Sequence, residues 1–160
     1  MADGAPNGYS TLIFDGNQYK LDFKAAGLPK DYQLSVHAPE EVTSAGARET
    51  YLYANFFNGS VESRLQFKVG EHGPWRQMEK SAEEDPYFRR IYQAEQSILT
   101  TFEAAGLEPP FRKLNSARPS EHLWKANLPP NLPSGTHLIY VRATDRHGRV
   151  FDGKRVLRVK

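Results

Sequence analysis

Apolar and polar positions alternate along most of this chain. Ser10-Thr11-Leu12-Ile13-Phe14 and Gln18-Tyr19-Lys20-Leu21-Asp22-Phe23 flank Asp15-Gly16-Asn17, residues that tolerate the positive φ of a tight reversal. The pattern predicts a β-hairpin with Tyr19, Leu21 and Phe23 on one face. Tyr32 to Val36 alternates again, and Thr50 to Phe57 follows a charged loop through Glu40 and Arg48. Both read as strands. Asn58-Gly59 turns the chain into Val61 to Val69, where Val61, Leu65, Phe67 and Val69 share a face opposite mostly polar residues, the mark of a strand with one wet side.

The period changes between Asp85 and Ala105. Phe88, Ile91, Ile98 and Phe102 recur at three- and seven-residue intervals with Tyr92 and Leu99 beside them, which predicts one helical face. Asp85 suits the N-cap, Pro86 the first helical position and Gly106 the left-handed exit. Gly106 to Glu121, with Pro109-Pro110 and Pro119, is too polar and proline-rich for an element. His122 to Ala126, Thr136 to Thr144 and Val150 to Val159 then read as strands, separated by a turn from Leu128 to Gly135 and a reversal at Asp145-Arg146-His147-Gly148. At least seven strands at hairpin spacing and one insertion predict a mainly β fold, an immunoglobulin-like antiparallel β-sandwich with one α-helix over about 85–105. Residues 1–8, with Gly4, Pro6, Asn7 and Gly8, read as a junction that buries nothing, and 9–160 as a single domain.

Composition narrows the chemistry. A chain of 160 residues is long enough for one self-contained core. With no cysteine there is no disulfide framework, thiolate zinc site, iron–sulfur ligation or cysteine nucleophile. A net charge of +2 is too even for a nucleic-acid protein, and no apolar run of about 18 residues predicts a membrane span. The start carries neither the basic region nor the apolar core of a signal peptide.

Few residues combine into a recognisable catalytic pattern. His37, His72, His122, His137 and His147 are scattered, with no helical i, i+4 pair of the kind that binds zinc. There is no nucleophile elbow, phosphate loop or dinucleotide glycine pattern. A pair of acids for glycoside chemistry has no positive support. Asp145-Arg146-His147 does satisfy Asp-x-His, a first metal-binding signature of metallophosphoesterases, but it sits in a hairpin turn 13 residues before Lys160, without the companion motifs. The bland reading is a turn closed by Gly148.

Two surface readings stay open. Residues 142–160 hold seven basic side chains against Asp145 and Asp152, a local +5 that leaves −3 for the rest. Arg142, Arg149, Arg155 and Arg158 form a candidate anion or interdomain patch, against the alternative of a wet face on a protected terminal strand. Tyr51, Tyr53, Phe56, Phe57, Trp75 and Trp124 either fill the layer between sheets or form a sugar-stacking platform.

Several stretches carry a resemblance. Ser120-Glu121-His122-Leu123-Trp124-Lys125-Ala126-Asn127-Leu128-Pro129, Leu132-Pro133-Ser134-Gly135-Thr136-His137, Val141 to Asp145 and Gly148-Arg149-Val150-Phe151 resemble the C-terminal domain of bacterial calcineurin-like phosphoesterases. Asp3 to Tyr9 resembles the junction after the catalytic domain there. Phe14 to Asn17, Tyr53 to Gly59, Trp75 to Met78 and Asp85-Pro86-Tyr87 agree as well, so the resemblance covers nearly the whole chain.

The resemblance implies a non-catalytic accessory domain whose partner is a metallophosphoesterase domain of the same polypeptide. Divalent metals and catalytic histidines belong to that partner, and no catalytic residue, metal ligand or cofactor carries over to this chain. His122, Trp124, Gly135, His137, Asp145 and Gly148 are then signature positions with structural roles. Trp124 is expected to pack between sheets, and His137 to anchor the corner at Gly135 by a hydrogen bond. The resemblance also implies export to the periplasm or cell exterior. The alternative is an independent carbohydrate-binding or adhesive module with a glycan or anionic ligand.

Overall fold

The structure, a computed structural model, describes residues 2–160. Eleven strands and one α-helix follow in order: β1 (Gly8–Asp15), β2 (Gln18–Ala25), β3 (Leu34–His37), β4 (Glu41–Val42), a 3-10 turn (Ala47–Glu49), β5 (Tyr51–Phe56), β6 (Arg64–Val69), β7 (Arg76–Gln77), β8 (Glu79–Ser81), α1 (Pro86–Ala104), β9 (Leu123–Asn127), β10 (Gly135–Thr144) and β11 (Val150–Val159). One sheet runs β3-β5-β9-β8 and the other β4-β11-β10-β6-β7, while β1 and β2 pair separately as a hairpin. All pairings are antiparallel except β11 with β4.

Alternation decides which residues meet between the sheets. Leu52, Ala54 and Phe56 of β5 and Trp124 of β9 face Leu65 and Phe67 of β6, Ile139, Val141 and Ala143 of β10, and Leu157 and Val159 of β11. These buried side chains form one continuous core, and their removal from water is the main force holding the two sheets together. The fold is therefore the mainly β sandwich with one helix that the pattern predicts.

Three local readings change. Val61 lies outside β6 and is 83% exposed, because the chain after Gly59 makes a further turn in which Ser63 N–H donates to Ser60 O at 3.1 Å. The helix has the expected cap, with Asp85 Oδ1 accepting from Phe88 N–H at 2.9 Å, and Gly106 follows at φ +65°. Its apolar face is only half covered, however. Ile98 is 49% exposed, and the residue α1 buries is Glu95, whose carboxylate accepts from Leu114 N–H at 3.0 Å. The cover is the proline-rich connector, where Phe111 meets Phe102 edge-on at 6.2 Å.

The junction does bury something. Ala5 is buried with Phe23, Ala25 and Phe57 in a second small core, which corrects the expectation that residues 1–8 bury nothing. Ala carries too little hydrophobic signal to announce this, and Gly4 lies so close to Asp85 that an added Cβ would fall 2.2 Å from its Cγ.

Candidate functional site

Four stretches that are far apart in the sequence converge on the outer face of the four-stranded sheet. Antiparallel register puts Ser35 beside Asn55 and His37 beside Tyr53, all on the side away from the core. Asn55 is fully buried there. Its Nδ2 donates to Asp85 Oδ2 at 2.8 Å and to Asp3 O at 3.1 Å, while its Oδ1 accepts from His122 Nδ1 at 2.6 Å. His122 Nε2 lies 3.3 Å from Asp3 Oδ2, and Ser120 Oγ is 3.2 Å from Nδ1. One polar cluster thus joins the junction, β5, the helix cap and the start of β9. Asp3, Asn55, Asp85 and His122 each come from a different one of the stretches that carry the family resemblance.

His37 extends this cluster toward solvent. Its Nε2 is 2.9 Å from Ser35 Oγ and 3.6 Å from Asp85 Oδ2, and its ring stacks on Tyr87 at 5.8 Å. Burial holds the imidazole below its ordinary pKa, opposed by Asp85 and reinforced by Arg155 and Arg90. A lowered folded-state pKa means that protonation costs more in the folded protein than in the unfolded chain. The protein is therefore expected to keep its full stability above about pH 6.5 and to lose some as pH falls below it, the unfolded value. His37→Gln is expected to flatten that part of a plot of Tm against pH. An unchanged slope would assign it to other groups.

The other signature positions are placed as follows. Trp124 is buried in the main core. His137 Nε2 meets Pro133 O at 2.7 Å across the turn that Gly135 ends at φ +138°. Asp145 Oδ1 accepts from His147 N–H at 2.8 Å and Arg149 N–H at 2.9 Å, and Oδ2 accepts from Arg149 Nε at 2.6 Å. Burial raises the Asp145 pKa, but these bonds outweigh it and hold the carboxyl below the usual aspartate range. Gly148, at φ +77°, lets its N–H close the turn on Asp145 O at 3.0 Å. Asp145 and His147 thus shape a hairpin turn.

The four arginines do not share one surface. Arg142 pairs with Asp152 at 2.9 Å and Arg158 with Glu41 at 3.0 Å on the outer face of the five-stranded sheet. Arg149 joins the β10–β11 turn to the hairpin, pairing with Asp145 and Asp22 and donating to Leu21 O at 2.7 Å. Arg155 lies on the inward face of β11, register partner of buried Ile139, and donates to Ala38 O at 3.1 Å. The aromatic group divides too. Phe56, Phe57 and Trp124 are buried, whereas Tyr51 and Trp75 are exposed.

Beside His37 opens a cleft of about 1210 Å³. Its walls are the junction residues Gly4–Asn7, all of β3, the first turn of α1 and residues 152–155 of β11. Gly153 lets the two strands come close, since a Cβ there would meet Leu34 Cδ1 at 2.7 Å. Tyr32, Tyr51 and Tyr87 stand at its rim. The sequence names Tyr51 among its aromatics but not Tyr32, Tyr87, His37 or Arg90 as a group, because β3 and α1 are distant in the chain and each ring is locally unremarkable.

Among the described residues, no three His, Asp or Glu side chains converge as a metal site, and no helix is long and apolar enough to cross a membrane. The family described as the C terminal of calcineurin-like phosphoesterase matches residues 1–151. The chain belongs to that family. Most of this phosphoesterase C-terminal domain lies within the match, including every residue of the polar cluster and all signature positions. No curated protein matches the chain. Among solved structures, CopC from Methylosinus trichosporium OB3b is similar at 11% identity, over 95% of this chain and 94% of that one, with a TM-score of 0.37.

Proposed function

We propose that this chain is a non-catalytic accessory domain that packs on the metallophosphoesterase domain of its own polypeptide. The family membership carries the reading. The geometry supports it, because the one Asp-x-His triplet is occupied within its own turn: both Asp145 carboxylate oxygens accept hydrogen bonds from Arg149 or His147. Divalent metals then act in the catalytic domain, and no step runs through residues of this chain. Export of the polypeptide belongs to the same proposal and rests on the family resemblance alone.

The packing surface is the arm made by β1. All eight of its residues are exposed, yet they include Tyr9, Leu12, Ile13 and Phe14. Apolar side chains gathered on one projecting strand mark a contact surface. The arm is tied to the β10–β11 turn through β2 by Arg149 and by Arg146, whose Nη1 donates to Tyr19 Oη at 2.8 Å. In a polypeptide that also carries the catalytic domain, Leu12→Ser with Phe14→Ser is expected to separate one calorimetric transition into two. The Tm of this domain alone is expected to stay within about 2 °C, as for other exposed positions. A joint transition that survives the double substitution would remove the arm from the interface.

A further inference from the structure

The cleft beside β3 has the makings of a binding site. Three tyrosines at its rim expose a substantial share of their surface: Tyr32 37%, Tyr51 42% and Tyr87 47%. Each is held by a neighbour. Tyr32 meets Phe57 at 5.4 Å, Tyr51 meets Tyr53 at 6.0 Å, and Tyr87 stacks on His37. Rings fixed in this way offer apolar area with little ordering left to lose on binding.

Fixed hydrogen-bonding groups lie between them. In β3, Ser35 and His37 bond toward β5, so Leu34 and Val36 turn their N–H and C=O groups to the open side. Phe56 N–H donates to His122 O rather than to its register partner Leu34, as this alternation requires. The same rule applied to β11 turns the backbone groups of Asp152 and Lys154 outward, and Arg158 N–H, in phase with them, donates to Glu40 O. Two open strand edges therefore line one cleft.

These edges are poorly suited to an added strand. β3 has only four residues and runs into Pro39, and β11 carries Asp152, Lys154 and an inward Arg155 along the open stretch. Such features block strand pairing in natural sheets. They suit a hydroxylated ligand, which exchanges hydrogen bonds with backbone and charged groups without demanding a continuous ladder.

Charge sharpens the choice. Asp152 is already paired with Arg142. Arg90 rests over the Tyr87 ring at 5.5 Å and Arg155 donates only to Ala38 O, and neither forms an ion pair among the described residues. Among the described residues Arg155 Nε is moreover buried without a partner, an unusual state for a charged donor. We propose that this cleft binds an acidic oligosaccharide, its sugar faces against Tyr32, Tyr51 and Tyr87 and its carboxylates at Arg90 and Arg155.

The competing surface lies on the other sheet. There Trp75, Lys68, Tyr140 and Lys154 alternate ring and cation across the strands, with Lys68 Nζ 5.3 Å from the Trp75 ring and 5.1 Å from Tyr140. That face is a flat sheet surface, whereas the cleft is concave and lined on several sides.

The test is an amide-resolved NMR titration of the chain with hexagalacturonate, with cellohexaose as the neutral probe. Hexagalacturonate is expected to shift Leu34, Val36, His37, Gly153 and Tyr87, and to bind more weakly as salt rises. Tyr51→Ala and Tyr87→Ala are each expected to weaken binding about fivefold. Arg90→Ala is expected to weaken hexagalacturonate but not cellohexaose, and Trp75→Ala to change neither. All these positions are exposed, so an unchanged Tm certifies the fold of each variant. No shifts with hexagalacturonate, shifts centred on Trp75 and Tyr140, or equal affinity for cellohexaose would each overturn the proposal. So would a response of the Leu34 and Val36 amides to a (Thr-Val)5 peptide alone.

Discussion

Trp124→Ala is expected to lower the unfolding free energy by about 3–5 kcal/mol, the range for truncating a buried aromatic. At roughly 2–4 °C per kcal/mol for a chain of this size, Tm falls by about 6–20 °C. The size follows from the packing around the ring. Trp124 is directed into the sandwich beside Ala54, with Phe56 at 6.4 Å between ring centroids and the Lys80 ammonium 5.8 Å from the ring centroid. The backbone at Gly59 closes over its far end, where a Cβ would stand 2.4 Å from Cη2. Sheet on one side and a turn on the other leave little freedom to collapse into the void. Trp124→Phe is expected to recover about half of the loss. Thermal or urea unfolding of both variants checks this, and a Tm change under 3 °C for alanine would mean the ring is not part of the core.

Asp85→Ala is expected to cost about 2–4 kcal/mol. One part is the helix cap, since Oδ1 accepts from Phe88 N–H, and losing such a cap typically costs about 1 kcal/mol. The other part is the buried Asn55 amide, whose bond to Asp85 Oδ2 disappears; a buried donor that loses its acceptor costs about 1–3 kcal/mol. Asp85→Asn separates the two. Asparagine still caps a helix, but its amide nitrogen would face the Asn55 amide donor if its oxygen takes Phe88 N–H. The asparagine variant is therefore expected to fall between wild type and alanine in urea unfolding. Equal losses for both would make the Asn55 contact the whole effect.

Both predictions concern residues that the sequence singles out, and for different physical reasons. Asp85 was legible as a cap because caps are local: an Asp before a Pro and an apolar periodic run. The β1–β2 hairpin, β10 and β11 were legible for the same reason, through turn residues flanked by alternation. β4, β7 and β8 span two or three residues each, too short for a period to show. The helix face shows a different limit. Periodicity reveals that Ile91 and Ile98 share a side with Phe88 and Phe102, but it says nothing about whether a partner covers them.

The polar cluster was out of reach for a further reason. Asp3 and His122 are 119 residues apart, and only the fold puts them 3.3 Å from one another. The stretches containing them carry the resemblance, but nothing in the sequence indicates that they meet. The arginine patch was the reverse case. Its four members are close in sequence and share one sign, yet the pleat sends Arg155 inward and Arg142 and Arg158 outward, while Arg149 is held by the hairpin. The rim of the cleft was out of reach as well, since it joins the loop before β3, β5 and the first turn of α1, which are far apart in the sequence.

The central proposal is that this chain carries no phosphoesterase chemistry of its own. The decisive measurement is hydrolysis of an aryl phosphate, such as p-nitrophenyl phosphate, by the purified chain with added Mn²⁺ or Zn²⁺. The rate is expected to equal that of metal and buffer alone, and to be the same for wild type, Asp145→Ala and His147→Ala. Metal-dependent turnover by the wild-type chain that disappears in those two variants would contradict it.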